Sequence, residues 1–228
     1  MKISTTLTIW EKVLGWLLLF LHILLLPFMV ALFSLLSPVQ LNTAVENIIY
    51  FVLSFLLSVA IFFRFLWENL KNFLHNIKRC IYTYFGSFAL YFVLNIFVTI
   101  IVTNLSPEFS NANDAAISEM SQGYYMPMLF CTAFLVPITE ELIYRGLIFQ
   151  VLHQRSRILG YVVSCLIFSA IHVVGYIGSY SATSLVLSLL QYLPACISLA
   201  YAYEKSDSIL TPIFIHMTIN FIAMLLMR

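Results

Sequence analysis

Charge is what this sequence has least of: only 9% of its 228 residues are Asp, Glu, Lys or Arg, whereas a soluble domain carries about a quarter. An ordinary water-facing surface is therefore excluded. There is no basic excess either, and a formal net charge of +1 cannot neutralise a phosphate backbone, so a nucleic-acid partner is set aside. The cysteines Cys80, Cys131, Cys165 and Cys196 form no C-x-x-C pair, and they read as small core residues rather than a redox or thiolate-metal site. H-E-x-x-H, the strongest sequence sign of a zinc peptidase, is missing. Internal repeats and low-complexity tracts are missing too. No small-residue cleavage pattern follows the first apolar run before Pro38, so that run is expected to be a retained helix and not a signal peptide.

What fills the chain instead is hydrocarbon. Hydrophobic residues make up 62% of it, with 20 Phe and 13 Tyr, and the mean hydropathy is +0.98. Apolar runs cover residues 13–36, 46–67, 81–104, 125–149, 159–177, 183–203 and 209–227, each long enough to cross a bilayer. The runs are continuous rather than alternating, and backbone polar groups cannot be left unpaired in lipid, so they predict helices and not barrel strands. The expected fold is all-α: a polytopic bundle of about seven transmembrane helices enclosing a polar cavity. One integral membrane domain spans 1–228, with three helices and an acidic outer loop over 1–124 and the chemistry-bearing helices over 125–228.

Lys2, Lys12, Arg64, Lys71, Lys78, Arg79, Arg155, Arg157 and Lys205 all fall on one side of such a bundle. By the positive-inside rule that side is the cytoplasm, and the N-terminus lies there. The loops near 37–45, 105–124 and 178–182 then face outward without a Lys or Arg, and the second of them carries Glu108, Asp114 and Glu119. The segment 64–80 mixes Trp67, Phe73 and Leu74 with bases; an interfacial helix and a plain basic connector both fit it.

Ionisable residues inside apolar spans are costly and mark function. In the fourth span Glu140, Glu141 and Arg145 follow the apolar stretch from Met126 to Ile138, with Pro137 able to break or kink the helix just before them. Glu141 and Arg145 stand at i and i+4 and are expected to pair, while Glu140 points about 100° away and stays available. In the fifth span His172 follows Phe168 by one turn, and Phe168 alone reads as packing. The last span starts at Thr211-Pro212 and presents His216 and Asn220 on one face, again at i and i+4. His22, isolated in the first span, reads as a packed or hydrogen-bonded residue with no role in chemistry.

In this order the three blocks resemble the CAAX protease and bacteriocin-processing family of intramembrane proteases, also called CPBP or Abi. Its EExxxR matches Glu140 to Arg145, its FxxxH matches Phe168 to His172, and its HxxxN or HxxxD matches His216 to Asn220. The likeness covers roughly residues 125–228; the first three spans add only hydrophobicity. It implies an intramembrane endopeptidase in a bacterial cell membrane, acting on a prenylated protein or a small hydrophobic peptide such as a bacteriocin precursor, in maturation or self-immunity.

Peptide hydrolysis needs a held water, a base, oxyanion stabilisation and a proton for the leaving amine. Glu140 is expected to be the base, Glu141 and Arg145 a paired brace, and His172 a group that holds or polarises the water. Two site chemistries stay open. With zinc, His172 and His216 plus a carboxylate would be the ligands and water the fourth. Without metal, His216 and Asn220 would donate to the oxyanion, and the reading leans this way because Asn is an uncommon zinc ligand. Members of the family have been described in both ways.

Counting rise along each span puts Glu140 and His216 about 10 Å from the basic side and His172 nearer 20 Å. Helix tilt or a break at Pro137 is expected to close this gap, and the cavity is expected to open to the cytoplasm. Two rival functions share the same residues: a small proton-coupled transporter, against which stands the lack of an inverted repeat, and a non-catalytic immunity or scaffold protein.

Overall fold

The chain starts its helices where local chemistry tells it to. Helix α1, Ile9–Leu36, opens on a capping box in which Thr8 accepts from the Glu11 backbone and the Glu11 carboxylate accepts from the Thr8 backbone. Asn42 caps α2, Thr43–Ile61. There follow α3, Phe63–His75, and α4, Ile77–Leu105. The short α5, Ala112–Ser121, is capped by Asn111. Four more complete the bundle: α6, Tyr125–His153; α7, Arg157–Val174; α8, Ala182–Ser206; and α9, Leu210–Leu226. This computed structural model describes residues 3–38 and 40–228, and among them there is no strand; Lys2, counted above with the basic side, lies outside the described residues.

The protein is an all-α integral membrane bundle. Six helices, α1, α2, α4, α6, α7 and α8, are long and apolar enough to cross a bilayer. The expected seventh span is α9, which is apolar but only 17 residues long. Its first turn begins inside the protein, where Ser208 and Ile209 are fully buried and Asn69 Oδ1 accepts the Ile209 N–H at 2.9 Å.

The expected second span, 46–67, is corrected: α2 stops at Ile61 and Phe62 leaves helical geometry. Phe62 and Phe65 are both fully buried, and the ring of Phe62 lies so close to Gly15 that a Cβ there would come within 2.8 Å of it. The chain must therefore turn at Phe62 to seat both rings. The basic segment beyond becomes the amphipathic α3, with Phe65 and Asn69 inward and Trp67, Lys71 and Leu74 outward.

The degree of burial sorts the helices. Only 11% of the apolar window of α4 is buried, which leaves Phe85, Phe92, Val93, Ile96 and Phe97 facing outward, whereas 61% of the α6 window is buried. Helix α6 is the central post. The apolar core gathers on its basic-end half, where Leu142, Ile143, Tyr144, Leu147, Ile148 and Phe149 are wholly inside with Phe62, Phe65 and Tyr203. Polar ties close the same end: Gln150 Nε2 donates to the Thr5 carbonyl and to Tyr203 Oη, Arg64 pairs with Glu11, and Arg157 pairs with Glu204.

Candidate active site

Glu140 and Glu141 sit where α6 changes pitch. The helix passes through π turns at Cys131–Leu135 and Glu141–Phe149, shown by Val136 N–H bonding to Cys131 O and Gln150 N–H to Arg145 O, each five residues back. Wide turns of this kind are frequent at functional sites. Pro137 lies between them and the helix runs on unbroken, so of the two expected routes, tilt or a break at Pro137, the break does not occur. Its missing N–H and its ring are absorbed by the wide turn before it.

The depth mismatch closes in another way. Helix α6 continues to His153, which places Glu140 about 20 Å up from the basic end, level with His172 in α7. Helix α9 starts at a buried residue, and this raises His216 to the same level.

All six residues singled out from the sequence lie in this region. Arg145 Nη1 donates to Glu141 Oε1 at 2.9 Å, and both side chains are 0% exposed. His216 Nδ1 lies 2.9 Å from the same oxygen. A carboxylate can only accept, so this nitrogen carries its proton toward Glu141 and His216 Nε2 is turned the other way. His172 is set similarly: Nδ1 donates to the Phe168 carbonyl at 2.8 Å, one helical turn back. The two freed Nε2 atoms flank Glu140, His172 at 3.6 Å from Oε1 and His216 at 3.8 Å from Oε2. Glu140 itself is buried, and its Oε2 has no hydrogen-bond partner among the described residues. Asn220 Nδ2 donates to the Thr132 carbonyl at 2.9 Å, which aims the amide from α9 toward α6.

Phe168 does more than fill space. Its ring faces the Arg145 guanidinium at 4.3 Å and stands within 4.7 Å of the His172 ring and 6.0 Å of the His216 ring, centroid to centroid. A buried cation thus has a carboxylate on one side and an aromatic face on another. The i, i+4 spacing of Phe168 and His172 was the available signal.

A cavity of about 520 Å³ adjoins the site, lined by Glu140, His172, His216 and Asn220. It does not open toward the basic end as expected. The buried residues 141–149 plug that side, and the lining runs the other way through Asn95 and Thr99 to Asn111, Asp114 and Tyr176, near the loops that lack Lys and Arg. The opposite wall comes from α1 and α2 and was not read from the sequence. There His22 Nδ1 lies 3.2 Å from Ser54 Oγ and 3.0 Å from Tyr50 Oη, and all three line the cavity. Only the wide turn at Leu21–Leu25, where Leu26 N–H reaches Leu21 O, sets His22 apart from its apolar neighbours. Tyr192, also missed, lays its ring 4.3 Å from that of His172.

Two imidazole nitrogens and a carboxylate are donors of the type zinc uses. Among the described residues, however, no three His, Cys, Asp or Glu side chains are grouped so that they could hold a metal ion. The donor set as arranged does not fit a metal.

No curated protein and no solved structure matches the chain. Glu140, Glu141, Arg145, His172, His216 and Asn220 lie within residues 122–222, and this segment matches the family model described as type II CAAX prenyl endopeptidase Rce1-like. Over these residues, fewer than half of the chain, the protein is similar to that CAAX-type protease family.

Proposed function

We propose that the protein is an intramembrane endopeptidase in which Glu140 activates a water for attack on a peptide bond of a hydrophobic or prenylated substrate. The observation that carries this reading is the setting of Glu140: a buried carboxylate with one unpartnered oxygen and an imidazole nitrogen on each side, at 3.6 and 3.8 Å. Both separations exceed a direct hydrogen bond, and such spacing suits a water bonded to more than one of these groups.

In the proposed reaction Glu140 takes a proton from this water while His172 Nε2 accepts the other O–H and holds the oxygen in place. The hydroxide oxygen bonds to the substrate carbonyl carbon, and the C=O pair moves onto oxygen. Asn220 Nδ2, which has one N–H left over from Thr132, and His216 in its doubly protonated form donate to this oxyanion. Glu141 supports the cationic His216 from behind, in the way a carboxylate orients a catalytic histidine. Collapse breaks the C–N bond, and Glu140 returns its proton to the leaving amine. The products are one carboxylic acid and one amine, with the water consumed.

The test uses the purified full chain in detergent with a panel of hydrophobic and prenylated peptides, comparing wild type with Glu140→Gln, His172→Ala and His216→Ala. Cleavage by wild type that falls about 10²–10⁴-fold in the folded variants is the expected result. Folded wild type that cleaves nothing in the panel would overturn the reading. Cleavage abolished by a chelator and restored by zinc would replace the metal-free mechanism.

A further inference from the structure

The cavity beside Glu140 has a sign. The carboxylates of Glu140 and Asp114 line it and, among the described residues, no Lys or Arg does. Its other polar groups are the imidazoles of His22, His172 and His216 and amides and hydroxyls such as Asn47, Asn95 and Gln191, which match the donors and acceptors of a peptide backbone. A free C-terminal carboxylate brought against Asp114 would leave water to meet a like charge, with no Lys or Arg in the lining among the described residues, which is costly.

One feature at the mouth is of a kind that attracts anions, the N-terminus of α5. It is already engaged. Asn111 Oδ1 accepts from the backbone N–H groups of Asn113 and Asp114, at 3.0 and 3.3 Å, and the Asp114 carboxylate occupies the first turn as the local anion. Asn111 is in turn fixed by donation to Gln191 Oε1 at 2.8 Å. Among the described residues the cation at this end of the bundle is Arg228, whose guanidinium lies 5.5 Å from the Tyr125 ring centroid and is not part of the lining.

Resting on the endopeptidase reading, we infer that this cavity takes an internal segment of an apolar peptide carrying a basic side chain, its ammonium or guanidinium set against Asp114, and not a free C-terminal carboxylate. Asp114, on a helix outside the matched segment 122–222, is then a specificity residue. The volume of about 520 Å³ lies within the range of small-ligand sites and has room for a few peptide residues at a time.

The experiment separates binding from turnover. Apolar peptides identical but for Lys, norleucine or Glu scanned on either side of the scissile bond are made in cleavable form and in a form with that bond reduced. A prenylated peptide is made as C-terminal acid and amide. Fluorescence anisotropy reads binding and mass spectrometry reads cleavage, on wild type, Asp114→Asn and Arg228→Gln.

The Lys peptide should bind wild type about ten-fold tighter than the Glu peptide, as one charge-assisted contact provides, and the prenylated acid should bind no better than its amide. Asp114→Asn should remove the advantage in binding of Lys over norleucine. If that variant does not fold, added salt on wild type should shrink the Lys advantage instead. A tighter prenylated acid, above all one whose advantage Arg228→Gln removes, would overturn the inference. So would a Lys preference indifferent to Asp114 or salt, or no binding by any peptide. Lys-selective binding without any cleavage would instead sink the endopeptidase reading and leave the preference of the cavity standing.

Discussion

Glu141 and His216 are joined by a 2.9 Å contact from Oε1 to Nδ1, and the same oxygen is also the acceptor for Arg145. A single carboxylate atom therefore ties a buried cation of α6 to an imidazole of α9, 75 residues further on. It both balances a charge and sets the direction in which His216 Nε2 points. These two duties can be separated by substitution.

Arg145 and Glu141 are wholly removed from solvent, so neither can lose its partner and turn to water instead. Glu141→Ala and Arg145→Ala should each cost about 3–5 kcal/mol, because each strands a buried charge. Replacing both, as Glu141→Leu with Arg145→Met, should cost less than either single change. Thermal unfolding of the detergent-solubilised protein measures this. Additive losses would show that the pair is not coupled.

Glu140 behaves oppositely, since nothing in the fold needs it. A buried carboxylate whose Oε2 has no partner weakens the folded state, and Glu140→Gln keeps the shape while removing the capacity for charge. The melting temperature of Glu140→Gln should equal or exceed that of wild type, even as cleavage is lost. A clear fall in melting temperature would instead make Glu140 a structural brace.

The membrane character and the cluster around Glu140 were legible because charge in a hydrocarbon run has few explanations. The pairing of Glu141 with Arg145 followed from helix geometry alone. The second wall of the cavity did not, because one histidine in an apolar helix carries no sign of which distant hydroxyls it will meet; His22 finds Tyr50 and Ser54 only once α1 packs on α2. Nor could hydropathy tell lipid-facing residues from protein-facing ones. Leu142, Ile143, Leu147, Ile148 and Phe149 are apolar enough to pass for lipid-exposed residues, yet they belong to the plug that turns the cavity away from the basic end. The stop at Ile61 was hidden for the same reason, since Phe62 and Phe65 look like a continuing span.

Close helix contact gives a prediction independent of the chemistry. A Cβ at Gly160 would come within 2.9–3.0 Å of the Cβ, Cα and N atoms of His153, and backbone atoms cannot step aside. Gly160→Ala should destabilise by about 1–3 kcal/mol. A Cβ at Gly86, in the outward-facing α4, would meet nothing within 4 Å. There Gly86→Ala should be neutral or stabilise by up to about 1 kcal/mol, through helix propensity. Comparing the two melting temperatures checks the packing of α7 against the end of α6.

Asn69 links the amphipathic α3 to the candidate site without touching it. Fully buried, it donates from Nδ2 to the Phe65 carbonyl and accepts the Ile209 N–H on Oδ1, each at 2.9 Å, just ahead of the helix that carries His216 and Asn220. Asn69→Ala would leave a buried N–H unpaired, at about 1–3 kcal/mol, and release the start of α9. Because a shift of about 1 Å at reacting groups can cost about 10²-fold in rate, kcat should fall by that order well below the melting temperature, while KM changes little. Asn76→Ala is the control at the same end of the bundle: among the described residues the Asn76 side chain bonds to Asn72 alone, and the change should leave kcat intact. Equal losses in the two variants would mean general loosening of α3. A loss confined to Asn69→Ala would establish that this amide sets the height of α9, and with it the distance between His216 and Glu140.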